Sequence, residues 1–150
     1  MDDLKLLALD KEDLEILSAH LQDAVLKVGD MAFLPGQQRF ALVANRFDWD
    51  SADAGHNRRR RTGLHFDRVM RVRRQRLRTD APDAVLNLLA VTFEETEAPS
   101  GLVTLVFSGG AAVQLEVECL ECQMRDLGPV WETASRPVHA PSDAPDTRTA

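Results

Sequence analysis

The stretch LVTLVFSGGAAVQLEVE, residues 102–118, decides the class of fold. Leu102 to Phe107 is an apolar run of strand length, bounded on each side by turn residues. Ser108-Gly109-Gly110 follows, and paired glycines supply the positive φ that a tight hairpin needs. Beyond them Val113, Leu115 and Val117 alternate with Gln114, Glu116 and Glu118. A period of two sends the first set inward and the second into water. The stretch therefore predicts an antiparallel hairpin with one solvated face.

Working outward, strand patterns recur. Ala84 to Glu94 reads as a strand crowded on both faces by Leu86, Leu88, Leu89, Val91 and Phe93, and Pro99-Ser100-Gly101 turns it into Leu102. Gly63 to Arg76 alternates, with Leu64, Phe66, Met70 and Val72 on one side and His65, Asp67, Arg71 and Arg73 on the other. That pattern predicts one half-buried strand, ended by the turn Asp80-Ala81-Pro82-Asp83. Met31 to Leu34 and Arg39 to Phe47 flank Pro35-Gly36 as a hairpin. Phe40 to Ala44 is apolar on both parities, which predicts cover on both faces. Leu4 to Leu9 is a short opening strand, and the polar stretch Asp48 to Arg61 reads as an exposed loop.

Two segments show helical spacing. Asp10 is a natural N-cap, and Leu14, Leu17, Leu21 and Val25 recur along Lys11 to Leu26, stopped by Gly29. Leu120, Met124 and Leu127 predict a short closing helix over Cys119 to Leu127, ended by Gly128-Pro129. Consecutive strands on short turns favour antiparallel pairing. The expectation is an α+β fold: a mostly antiparallel, strongly bent sheet or partly open barrel, with one N-terminal helix and a short C-terminal helix. A pleckstrin-homology-like barrel is one candidate. Residues 1–139 are expected to form a single globular domain and 140–150, rich in Pro, Ser, Asp and Thr, a disordered tail.

The chain of 150 residues suits one domain. No apolar run approaches the roughly 20 residues that span a bilayer. The acidic start Met1-Asp2-Asp3 lacks the basic, apolar look of an export signal, so a cytoplasmic protein with reduced cysteines is expected.

Several stretches are familiar in combination: DLKLLALD at 3–10, GLHFDRV at 63–69, LNLLAV at 86–91, ECLE at 118–121, and Trp131 to His139 with RPVH at 136–139. On these the chain resembles an uncharacterised bacterial family, domain of unknown function 2948, found mainly in alphaproteobacteria. The resemblance spans Asp3 to His139. It implies a single small domain in a bacterial cytoplasm, and it implies no activity, cofactor or site residue.

Charge is the sharpest functional signal. The net charge is -6, yet ten of the eighteen basic residues lie between Arg58 and Arg78, opposed there only by Asp67. Arginine donates two parallel bonds to an anion. Arg58, Arg59, Arg60, Arg61, Arg71 and Arg73 are therefore the candidate anion- or partner-binding residues. A homodimer that sets acidic on basic faces is one arrangement this asymmetry allows. Nucleic acid is disfavoured, because the aromatics that stack on bases are scarce nearby. The plain alternative is pairing with the protein's own outward carboxylates, including Glu116 and Glu118, across strands.

Three residues suggest a pocket instead. Arg68 has the parity of Phe66 and Met70, which points to a lined cavity or a rim. With His65 and His139 it would line the pocket of a small-molecule hydrolase or transferase, His139 being the candidate general base. Cys119 and Cys122 match C-x-x-C, but zinc needs four ligands and no second pair exists. Neither a metal nor a cofactor is expected. The leading expectation is a non-enzymatic binding or protein-interaction module with an Arg-rich surface over 58–78.

Overall fold

The computed structural model describes residues 3–133 and 137, so the expected tail at 140–150 lies outside the described residues. The chain begins with strand β1 (Lys5–Ala8) and helix α1 (Lys11–Leu21), followed by β2 (Ala24–Lys27), β3 (Met31–Leu34) and β4 (Arg39–Phe47). Helix α2 (Trp49–Asp53) then leads to β5 (Arg58–Phe66) and β6 (Val69–Gln75). Four strands complete it: β7 (Val85–Glu95), β8 (Gly101–Phe107), β9 (Ala112–Val117) and β10 (Cys122–Glu132).

The hairpin of the opening stretch forms as its pattern demands. Val103, Leu105, Phe107, Val113, Leu115 and Val117 are buried, and Thr104 pairs with Gln114 on the outer face. From this nucleus one antiparallel sheet extends in the order β1-β10-β5-β4-β2-β7-β8-β9-β6, with β3 added alongside β4. The sheet is not closed into a barrel, since β1 and β6 end the order. Even so, the Val69 amide at the start of β6 donates to the Gln38 carbonyl at the β3–β4 turn, 2.8 Å away. Helix α1 packs its Leu14, Leu17 and Leu21 on the inner side against β7, β1 and β4. Asp10 caps it as expected, accepting from the Asp13 amide at 2.8 Å.

Four expectations are corrected. The first helix ends at Leu21, because Asp23 takes φ +66, and Ala24–Lys27 instead pairs with β7, burying Ala24 and Leu26. The supposed loop from Asp48 to Arg61 contains α2 and the first residues of β5. The supposed single strand from Gly63 to Arg76 is two strands in different parts of the sheet, broken at Asp67-Arg68 where Arg68 has φ +61. β5 buries one face, whereas in β6 Val69 is buried, Val72 is half-buried and Met70 is exposed. Finally, the closing helix is absent. Residues from Cys122 onward form β10, which pairs with both β1 and β5 and buries Cys122, Met124 and Asp126 at a period of two.

Candidate functional site

Seven of the ten clustered arginines lie on two strands, four on β5 and three on β6. Three of the four on β5, Arg58, Arg59 and Arg60, have partners within the molecule. Arg58 donates from Nε to Glu132 Oε2 at 2.7 Å, directly opposite it on β10. Arg59 donates from Nη1 to the carbonyls of Asp23 and Asn45, and its guanidinium lies 5.8 Å from the centre of the Phe47 ring. Arg60 is 1% exposed and belongs to the interior. Arg61 is exposed opposite Asn45.

Arg60 is part of a polar cluster that alternation on β4, β5 and β10 turns inward. On β4 the core-facing residues are Phe40, Leu42, Ala44 and Arg46. Across from them on β5 stand Phe66, Leu64, Thr62 and Arg60, so Arg46 faces Arg60. On β10 Asp126 continues the buried row of Cys122 and Met124. Arg46 grips Asp126 with two bonds, Nε to Oδ1 at 2.9 Å and Nη2 to Oδ2 at 2.8 Å. Thr62 and the Leu4 amide also donate to that carboxylate. Arg60 donates from Nε to Asp48 Oδ2 at 2.6 Å and from Nη1 to Asp3 Oδ1 at 3.1 Å. The Ser51 hydroxyl and amide complete the Asp48 carboxylate.

Two buried guanidinium cations thus meet two buried carboxylates. Burial alone raises the Asp48 carboxyl, but the bonds from Arg60 and Ser51 and the charge of Arg46 outweigh it, holding its pKa at about 2. Asp126 is also lowered: burial opposes, while the bonds from Arg46, Leu4 and Thr62 prevail. The two carboxylates are each held by several donors, while the buried Arg60 Nη2 has no hydrogen-bond partner among the described residues. Only the first half of the cluster's signal was legible, since Arg46 shares the parity of Phe40 and Leu42 while Asp126 lay inside a segment read as helical.

The arginines of β6 are different. This strand ends the sheet order and is bonded along one side to β9. On the outer face Arg71 stands opposite Glu116 with a gap of 4.0 Å, and Arg73 stands opposite the neutral Gln114. Arg74 lies on the inner face opposite Val113. Arg76 lies beside the turn glycine Gly110. Among the described residues, no carboxylate pairs with Arg73, Arg74 or Arg76.

Of the three expected pocket residues, Arg68 and His65 lie among the described residues. Arg68 sits in the β5–β6 turn, its side chain 57% exposed and 3.8 Å from Glu121. Its parity misleads because the turn resets the alternation. His65 is half-buried on the outer side of β5, 3.6 Å from Asp67, which Arg39 holds at 2.7 Å. His139 lies outside the described residues. Cys119 and Cys122 are free thiols, and burial, with the charge of Asp67, pushes the Cys122 thiol up. A buried, protonated thiol packs rather than reacts. Among the described residues no helix is long and apolar enough to cross a membrane.

Residues 4–139 match the model of a family described as a protein of unknown function (DUF2948), and the chain belongs to that family. No curated protein and no solved structure matches the chain.

Proposed function

We propose, for this member of a family of unknown function, a non-enzymatic binding module that takes an acidic protein segment along the outer edge and face of β6. The observation that carries the reading is the contrast between the two arginine groups. Arg58, Arg59 and Arg60 of β5 have partners at bonding distance within the chain, whereas Arg71 and Arg73 stand exposed with one distant carboxylate between them. An edge strand also leaves backbone donors and acceptors unladdered, and an extended segment can add to it by main-chain bonds. Glutamates or aspartates on that segment would then meet the arginines of the outer face. The likeness to a pleckstrin-homology barrel rests on a bent sheet alone and adds nothing to this reading.

The test uses poly-L-glutamate as the probe. Binding is expected at low ionic strength and is expected to weaken steeply with salt, since exposed charges are screened beyond about 10 Å at 0.1 M. Arg71→Ala combined with Arg73→Ala is expected to remove most of it. If the double variant binds like the parent, or if the parent does not bind at low salt, the reading fails.

A further inference from the structure

We propose that the cavity on the inner side of β6 is a binding site for a small amphiphilic monocarboxylate, a single carboxylate head on an apolar chain. The cavity measures about 440 Å³ and lies where the sheet fails to close, between the β2–β3 connection, the start of β4 and the end of β6. That volume falls within the range of small-ligand pockets, about 300–1,000 Å³. Six of the nine residues that line it carry apolar side chains: Val28, Met31, Phe40, Leu77, Pro82 and Val113.

Two polar side chains border this apolar space, Arg74 and Thr79. Register explains why Arg74 is there. It pairs with Val113, whose side chain is buried in the core, so the alternation of β6 points Arg74 to the inner face while Arg71 and Arg73 point outward. Among the described residues neither Arg74 nor Thr79 has a side-chain hydrogen bond or ion pair. A guanidinium bordering apolar walls without a counter-charge favours an anion there, and its planar fork matches a carboxylate. One cation and one hydroxyl suit a single negative charge, and the apolar walls suit a hydrocarbon chain behind it.

One side of the lining is held by backbone bonds. The Gly29 amide donates to the Pro82 carbonyl at 2.8 Å, and the Val28 amide donates to the Ala84 carbonyl at 2.9 Å. A Cβ on residue 29 would lie 3.0 Å from the Pro82 Cβ, so glycine lets the two segments meet this closely. The rim is thereby fixed beside the apolar wall. This site goes beyond the outer-face reading and uses the opposite side of the strand.

The experiment is isothermal titration of the whole chain with decanoate, kept below its micelle concentration, and with decan-1-ol as the uncharged control. One decanoate per chain is expected. Decan-1-ol is expected to bind at least about tenfold more weakly, the least that losing a charge-assisted bond should cost. Arg74→Ala is expected to weaken decanoate by at least about the same factor. The side chain of Arg74 is exposed and unpaired, so this variant should keep the parent's thermal transition. The Arg71→Ala and Arg73→Ala double variant is expected to bind decanoate unchanged while losing poly-L-glutamate, so the two sites can fail separately. No decanoate binding, equal binding of the alcohol, or an unchanged affinity in Arg74→Ala would each overturn the proposal.

Discussion

A guanidinium withdrawn from water keeps its charge, so Arg46 and Arg60 are buried only because anions sit beside them. The arrangement makes each partner indispensable to the other. Asp126→Ala leaves Arg46 buried and uncompensated, and it is expected to cost about 3–5 kcal/mol in urea unfolding. Arg46→Met combined with Asp126→Leu removes both charges and is expected to cost less than the single change. The same cluster sets the response to acid. Asp48 and Asp126 have folded pKa values below the ordinary 3.8, so the stability they add is complete above roughly pH 4 and is lost as pH falls through their folded values. For Asp48 that loss runs from its ordinary value of 3.8 down to its folded pKa of about 2. The urea midpoint is expected to drop across this window, and Asp48→Asn is expected to flatten the drop. None of these pairings can be read from spacing. Arg46 and Asp126 are 80 residues apart, and only the placing of β5 between β4 and β10 brings them together.

At the scale of the element, alternation is a reliable witness to a face and a poor one to a boundary. The β8–β9 hairpin appears where its glycines and its period of two put it. The entry to β8 has a tighter requirement than sequence shows. A Cβ at Gly101 would sit 2.5 Å from the Glu94 carbonyl oxygen and 2.6 Å from the Phe93 ring. Gly101→Ala is therefore expected to force β7 and β8 apart at this end and to cost about 1–3 kcal/mol, seen as a lower thermal midpoint. The misread elements share one cause. Ala24–Lys27 is a short apolar stretch and Cys122–Leu127 a short mixed one, and the apolar residues of each fit a helix or a strand. The open edges of β7 and β5 decide the matter, since an extended segment there satisfies its own backbone and theirs. Arg68 is the residue that carried the missed boundary. A charge with the parity of Phe66 and Met70 fits a rim, and the Arg68 side chain is exposed in the turn between β5 and β6.

Across the whole molecule, the order of strands in space departs from the order along the chain. β1 lies against β10, and β6 reaches the far edge of the sheet through β9. The fold is thus held by pairings between distant segments, and β1 is a test of it. Its four residues pair with Cys122 to Arg125, and the adjacent Leu4 amide and Asp3 carboxylate reach into the polar cluster. Removing residues 1–9 is expected to lower the urea midpoint substantially. Leu7→Ala and Leu9→Ala, both 57% exposed, are expected to change stability by no more than about 0.5 kcal/mol. By itself the sequence determined the antiparallel class, the hairpin at 102–118, the capped helix after Asp10 and the concentration of positive charge, because each of these is local and depends on periodicity, turn chemistry or composition. The tertiary structure alone decided which arginines are buried, which face outward and which borders the cavity. A side chain's parity fixes its face, but only long-range pairing decides what that face meets.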